Sequence, residues 1–513
     1  MKQKIFVLAG FLSILLLWTG CPNNAPVPAG SGSGSSGGGA PEATLKAYPA
    51  DQAILYTTAD GAKASGGIGK KYSVQLGKQP RTDGYATVGD RSKGSYRIPS
   101  IVKTTVGGKT RLVAAFDVRY RGTFKGNGDV GTTDGGAGSD ITVMYSDNGG
   151  ATWTAAKNKV TGQKPAIDVD NTYGSNGLPT AGYTANGKFL KGDVCDPQLT
   201  VFPDGTIYCG MAGGAGVLGG DWSKSNFRIF KSVDNGATWE EDTNPADSYA
   251  KKWEPSTSSN INKFNMTAPG HGIVLQKDVP GVNSMRAQTV VLPCQAGSNT
   301  LGFGLYLAHG TGKPGDWQVN ATNGSTPFFK WNNKNNEEGQ ICQLDDGSIL
   351  MVAKTYLDPS PRGITLSRFK DDAWTAVPET NNPFFHAGAC QVSVLKVAEG
   401  NGTKCGVVAV CCSLDQPSNT PQQGRGNLTV GFARDLTLKG ATADKPLDDA
   451  ERYYVNIRKE GMCYFGYTDM IMVDDHTLGV LYENWHETDN SIDGMRFVKI
   501  DVSKIIEKLS VKP

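Results

Sequence analysis

The sequence predicts an all-β protein, and three observations carry that prediction. Glycine accounts for 66 of 513 residues, about twice its usual share. From about Tyr72 onward the chain reads as short β-branched or aromatic runs cut by Gly, Asp, Asn and Pro. Long amphipathic helical stretches are nearly absent, and only residues 502–509 have helical spacing. Apolar content, counted with glycine and without tyrosine, is about 47%, an ordinary globular value, so the glycine does not stand in for a core. No G-X-Y period is present, which excludes collagen, and modest charge excludes wholesale disorder. A net charge of +2 argues against nucleic acid as an electrostatic partner.

The N-terminus reads as an address. Lys2 and Lys4 precede an apolar run, residues 5–18, and then Thr19-Gly20-Cys21. A basic start, a short apolar stretch and a small residue before the cut describe a secretory signal, too short to span a membrane comfortably. Gly20-Cys21 resembles the lipobox of bacterial lipoproteins, in which the Cys is lipidated and becomes the mature N-terminus, although Trp18 is bulkier than is usual there. Residues 22–45 form a Pro/Gly/Ser linker, of which residues 30–39 are only Gly and Ser, a flexible coil. No second apolar span follows. The expectation is a signal over residues 1–21, the linker, and an extracytoplasmic body over residues 46–513. That body is held at the cell surface or periplasmic face by a lipid anchor, or is secreted.

Removing Cys21 from ten cysteines leaves nine, an odd number, with no CxxC and no zinc-spaced Cys/His cluster. Cys209, Cys294, Cys342 and Cys411 sit in apolar runs and read as small buried hydrophobes, whereas Cys195 and Cys390 lie beside more polar residues. Strands are expected around residues 111–116, 141–145, 349–353, 406–410 and 478–482.

An internal repeat sets the architecture. Ser146-Asp-Asn-Gly-Gly-Ala-Thr-Trp153 returns as Ser232-Val-Asp-Asn-Gly-Ala-Thr-Trp239, each directly after a strand-like run. Both resemble the Asp-box, Ser-x-Asp-x-Gly-x-Thr-Trp, of sialidase-like β-propellers; the first copy has Asn148 where the motif has Asp. Residues 369–374 and 312–317 look like eroded copies. The motif is a turn device, with Asp and Ser bonding the backbone and Trp packing between sheets. The resemblance implies a propeller, and the length suits six four-stranded blades. Gly214, Gly216 and Gly219 satisfy G-x-G-x-x-G, but Gly220-Asp-Trp-Ser follows instead of a helix, so the segment reads as a loop.

Tyr96-Arg97-Ile98-Pro99 at the start of a strand matches the (Phe/Tyr)-Arg-Ile-Pro signature, and the chain thereby resembles the bacterial exo-α-sialidases (neuraminidases) over nearly the whole body. In that family three arginines clamp the substrate carboxylate, a Tyr/Glu pair supplies the nucleophile and an Asp is the acid/base. The substrate carries a carboxylate on its anomeric carbon, which would repel a carboxylate nucleophile. A tyrosine whose proton is drawn by a glutamate avoids that repulsion, and planar guanidinium forks suit the carboxylate.

Carried over motif by motif, the resemblance makes Arg97 the first clamp arginine and places Arg119, in Asp117-Val-Arg119, at the site. The acid/base falls in the enlarged loop of residues 121–138, where Asp134 fits best and Asp129 is the runner-up; Asp140 matches a structural Asp. Glu338 takes the role of base on tyrosine, with Glu337 as its neighbour. The hairpin that follows ends in Lys354 where the family has its second clamp arginine. An ammonium keeps the charge but loses the fork, so either binding is weakened, Arg362 substitutes, or the substrate is a variant nonulosonic acid. Arg425 matches the third clamp arginine, Tyr467 the nucleophile, and Glu483 the residue that holds Arg97 in place. Alone, each has an ordinary structural reading: an ion pair, a packing ring, a turn former. Their occurrence in the family's order is what argues for chemistry. The five histidines pair with no Ser or Cys nucleophile, and the roles need no metal or organic cofactor.

The implied activity is retaining hydrolysis of terminal α-linked sialic acids from glycoproteins, glycolipids or oligosaccharides. The alternatives are a non-catalytic sialoglycan-binding surface lectin on the same propeller and a trans-sialidase.

Overall fold

The computed structural model describes residues 72–78, 95–119, 139–160, 162, 167, 194–213, 226–242, 264–298, 302–311, 316–320, 336–355, 363–377, 391–413, 428–435, 453–458, 466–485 and 492–512. Cys21, the linker, the loop carrying Asp129 and Asp134, the Gly214–Gly219 motif, Arg362, Cys390 and Arg425 lie outside them.

The described residues form an all-β propeller of six sheets. In chain order, the sheets start from strands Ser95–Val106, Val194–Val201, Phe264–Thr267, Asn336–Gln343, Ser393–Ala398 and Thr468–Met472. Each sheet is an antiparallel meander from its first strand outward. Consecutive sheets touch, and the sixth touches the first, so the ring closes. Its closure joins the first and last described strands: Tyr72–Lys78 is the outer strand of the sixth sheet, paired antiparallel with Ile492–Asp501. Four of the five expected strand runs lie within strands and the fifth, 406–410, starts one residue before the strand Val407–Ser413; the helix expected at 502–509 is Ser503–Ser510, packed on the fifth and sixth sheets through Ile505 and Leu509.

The core is not one nucleus but a series of layers between sheets. Val113, Val143, Leu199, Met211 and Trp239 fill the space between the first and second sheets, and Phe116, Leu481 and Phe497 that between the sixth and first. Phe202 and Leu292 join the second to the third, Leu305 and Met351 the third to the fourth, Val352 and Val410 the fourth to the fifth, and Phe432 and Val480 the fifth to the sixth. Each fully buried side chain of this kind contributes roughly 1.5–3 kcal/mol.

Both Asp-boxes build the same turn. Ser146 Oγ accepts Gly150 N–H at 2.9 Å and donates to Asn148 Oδ1 at 2.9 Å, while Trp153 Nε1 donates to Gly150 O at 3.1 Å. Ser232, Asp234, Gly236 and Trp239 repeat these bonds at 2.8, 2.7 and 3.0 Å. The substitution at Asn148 reverses a single bond: its Nδ2 donates to Thr152 Oγ1 at 2.8 Å, whereas Thr238 Oγ1 donates to Asp234 Oδ2 at 2.7 Å. Desolvation opposes the charge on Asp234, but its bonds from Thr238 and Ser232 outweigh that and hold the carboxyl below its ordinary value. Residues 369–374 instead form a two-residue turn, with Asp371 and Asp372 both at positive φ and the Trp374 ring packed at a tilt against Phe369, centroids 5.1 Å apart.

The ring centre is occupied by residues 268–272, a segment bonded to five of the sheets and to Gln391, two residues before the first strand of the fifth. Ser100 Oγ donates to Gly270 O, and Gly272 N–H donates to Leu199 O at 3.0 Å. Ala268 N–H donates to Pro293 O at 3.0 Å, while Gln340 and Gln391 Nε2 donate to Pro269 O at 3.1 and 3.5 Å. His271 Nδ1 meets Asp469 Oδ1, on the sixth sheet, at 2.8 Å. Gly270 has φ +117°, and a Cβ there would lie 1.6 Å from Gln340 Nε2, so no other residue fits. Burial opposes the charge on His271, but the Asp469 carboxylate outweighs it and raises the imidazole above its ordinary value.

The seven described cysteines, Cys195, Cys209, Cys294, Cys342, Cys405, Cys411 and Cys412, are all buried thiols. Desolvation pushes Cys342 and Cys411 up to about 12. Cys195 thus joins the buried set.

Candidate active site

The site is built on bulges at the starts of first strands. The first strand slips register between Arg97 and Ser100, the second sheet's between Cys195 and Gln198, and the fourth sheet's between Glu337 and Gln340. Each slip contains a non-glycine residue at positive φ: Ile98 at 54°, Asp196 at 58° and Glu338 at 53°. Such conformations cost roughly 1–3 kcal/mol and persist only where the surroundings enforce them. Here the amide of the strained residue is captured by a side chain of the preceding sheet. Ile98 N–H donates to Glu483 Oε1 at 2.8 Å, Asp196 N–H to Asp117 Oδ1 at 2.9 Å, and Glu338 N–H to Gln295 Oε1 at 2.7 Å. A bulge re-aims the side chains around it.

Arg97, Glu483, Tyr467, Glu338 and Lys354 come together from the first, sixth and fourth sheets. Arg97 Nε meets Glu483 Oε1 at 3.3 Å, both side chains almost wholly buried. The Arg97 guanidinium carbon lies 5.5 Å from the centre of the Tyr467 ring. Gly466 makes this approach possible, because a Cβ there would overlap Glu483 Oε2 at 1.5 Å. The Tyr467 hydroxyl donates to Glu338 Oε1, joining residues 129 positions apart. Lys354 Nζ lies 2.7 Å from Glu338 Oε2 and 3.2 Å from Glu337 Oε2, with only 2% of its side chain exposed.

A tyrosine hydroxyl bonded to a carboxylate can lose its proton as the oxygen attacks, and a fixed guanidinium beside it can hold an anion. Arg119 ends the strand Lys109–Arg119 opposite Ser95, two residues before Arg97. Asp140 is buried on the next strand. Asp134, Asp129, Arg425 and Arg362 lie outside the described residues.

Sequence reasoning missed Asp196, at a position in the second sheet equivalent to that of Glu338 in the fourth. No local signal marks it, since a positive φ at Asp in a Cys-Asp-Pro run follows only from the register slip. Among the described residues, Asp117, Cys195 and Asp196 bring three ligand-type atoms within 4.8 Å of one another. The Asp117 carboxylate already closes the bulge there, as Glu483 and Gln295 do in theirs, so the fold itself accounts for the cluster.

No family model matches the chain. A protein of Bacteroides fragilis described as a sialidase is 22% identical over 443 residues, which cover 83% of this chain. The chain spans 65% of that relative's length. Among solved structures, a leech intramolecular trans-sialidase complexed with 2,7-anhydro-Neu5Ac superposes with a TM-score of 0.54 at 15% identity, over 85% of this chain and 71% of that one. A Trypanosoma rangeli sialidase mutant displaying trans-sialidase activity gives 0.53 at 16% identity, over 86% and 60%. Streptococcus pneumoniae NanB sialidase gives 0.51 at 14% identity, over 84% and 70%. By sequence and by fold the chain resembles the sialidases, and its architecture is a sialidase-like β-propeller.

Proposed function

We propose that the chain is an exo-α-sialidase that cleaves terminal α-linked sialic acids from glycoconjugates with retention, on a propeller whose six sheets are six blades. The observation that carries this reading is the Tyr467 hydroxyl donating to Glu338, with Arg97 fixed beside the same ring. A tyrosine nucleophile is what a glycoside with an anomeric carboxylate requires. The similar proteins named as sialidases support the substrate class.

In this reading Arg97 and Arg425 bind the substrate carboxylate, Arg119 lines the site, and Asp134 protonates the leaving glycosidic oxygen. Tyr467 attacks the anomeric carbon as Glu338 takes its proton, giving a covalent glycosyl intermediate. Water attacks that intermediate with Asp134 now acting as base, and Tyr467 recovers its proton from Glu338. The body is held at the bacterial surface by lipid on Cys21, or is secreted. The Asn148 Asp-box makes the same turn as the Asp234 one, so the departure of the first copy from the motif is no argument for the lectin alternative.

The test is release of a fluorescent leaving group from an α-sialoside by the full chain. Wild type is expected to turn over, and Asp134→Ala to lose turnover selectively on substrates with poor leaving groups. Loss with Asp129→Ala but not with Asp134→Ala moves the acid/base to Asp129. Sialoglycan binding without any turnover establishes the lectin. Transfer to an added sugar acceptor in preference to water establishes a trans-sialidase.

A further inference from the structure

Lys354 stands where the resemblance places a clamp arginine, but its surroundings give it other work. On a regular strand Glu337 and Glu338 would point to opposite faces of the sheet. Glu337 is directly opposite Lys354 in the register, and the slip that begins after it, with Glu338 at φ 53°, turns the second carboxylate onto the same ammonium. The result is one buried cation between two buried carboxylates, at 3.2 and 2.7 Å, and the second of these holds the Tyr467 hydroxyl. A lysine is suited to this, because its ammonium donates in three directions, whereas a guanidinium presents a flat fork.

We propose that Lys354 is a positioning residue for the Tyr467–Glu338 pair rather than a contact for the substrate's carboxylate, and that Glu337 is its counter-charge. The role in turnover rests on the sialidase reading; the charge arrangement does not. With Lys354 in place, the group of three carries one net negative charge, as a lone glutamate base would. Lys354 also fixes Glu338 Oε2, leaving Oε1 for the phenol. Without it, two carboxylates would crowd one site, and one of them would take up a proton. Among the described residues, charged groups that also face the pair include Arg97, over the Tyr467 ring, and Glu483 behind Arg97; Gln295, at the Glu338 amide, is neutral.

The experiment compares kcat, KM and the pH profile of kcat/KM for wild type, Glu337→Gln, Lys354→Met and Lys354→Arg on a fluorogenic α-sialoside. Lys354→Met is expected to lower kcat by at least about tenfold, with KM changed by less than about threefold. Its acidic limb should move to higher pH by about one unit or more, the size of effect a close charge partner has. Glu337→Gln should move the same limb to lower pH, a pair of opposite shifts that general structural damage does not produce. Lys354→Arg should lower kcat without lowering KM. A fall in KM with Lys354→Arg, or a selective rise in KM with Lys354→Met and an unmoved profile, makes Lys354 a substrate contact and overturns the proposal.

If wild type turns over no sialoside, the sialidase reading fails and the charge arrangement is read without substrate. Ultraviolet difference titration of the phenol, each variant against its Tyr467→Phe counterpart, should then show Lys354→Met moving ionisation to higher pH and Glu337→Gln to lower pH. No movement in either refutes the arrangement. Should Lys354→Met not fold, the direction of the Glu337→Gln shift decides.

Discussion

Replacing Glu483 with Gln tests how Arg97 is held. Glu483 Oε1 accepts Arg97 Nε at 3.3 Å and Ile98 N–H at 2.8 Å, and both partners' side chains are almost wholly buried. Glutamine keeps a carbonyl-type oxygen for Ile98 but removes the negative charge that meets the buried guanidinium. Breaking a buried pair from one side costs about 3–5 kcal/mol. The Arg97→Met/Glu483→Leu double substitution removes both charges. Its main remaining defect is an Ile98 N–H without an acceptor, about 1–3 kcal/mol. The double variant should therefore be more stable than Glu483→Gln alone, yet inactive, because the guanidinium beside Tyr467 is gone. Urea unfolding followed by tryptophan fluorescence gives the stabilities, with unchanged slopes confirming comparable transitions, and sialoside turnover gives the activity. If Glu483→Gln costs no more than a surface change, about 0.5 kcal/mol, or if the losses of the single variants Arg97→Met and Glu483→Leu simply add in the double, the pair does not hold Arg97 and the reasoning fails.

The other predictions concern the ring centre and the turns. Gly270→Ala places a methyl 1.6 Å from Gln340 Nε2 at φ +117°, and should cost at least about 2 kcal/mol in urea unfolding; unchanged stability would remove the central segment from the account. His271 is raised above its ordinary value of about 6.5. Its contribution is therefore full below that pH and fades as pH rises through the folded-state value. The stability difference between wild type and His271→Asn should shrink from mildly acidic to alkaline pH, and growth with pH would contradict the pairing with Asp469. Asn148→Asp should change stability by less than about 0.5 kcal/mol, since only one hydroxyl must rotate. Asp234→Ala strips three bonds from its turn and should cost at least about 1 kcal/mol; a loss with Asn148→Asp as large as that would mean that the turns are not equivalent.

What was legible in the sequence is what is local. The Asp-boxes name their own bonds, because Ser, Asp or Asn, Gly, Thr and Trp all act within eight residues. The buried strand at 349–355 shows as the apolar run 349–353. The meeting of Tyr467 with Glu338 crosses 129 positions, and only the order of motifs in a resembling family suggested it. The parts that escaped notice depend on register. Nothing in Glu337-Glu338 says that a bulge will turn both carboxylates onto Lys354. Ile98, β-branched, gives no hint of a positive φ, which Glu483 from the far end of the chain enforces. Ala268-Pro269-Gly270 looks like an ordinary turn in sequence, and His271 like a lone histidine. Their place at the ring centre exists only once six sheets surround them.

The central claim, that Tyr467 forms the covalent bond to substrate, is tested most directly by trapping. A sialic acid with fluoride as leaving group and a second fluorine beside the anomeric carbon slows breakdown of a glycosyl intermediate more than its formation. After incubation with the full chain, proteolysis and mass spectrometry should find the sugar on the peptide that carries Tyr467, and no adduct with Tyr467→Phe. An adduct on an Asp or Glu side chain, or steady hydrolysis of sialosides with Tyr467→Phe at the wild-type rate, would contradict it.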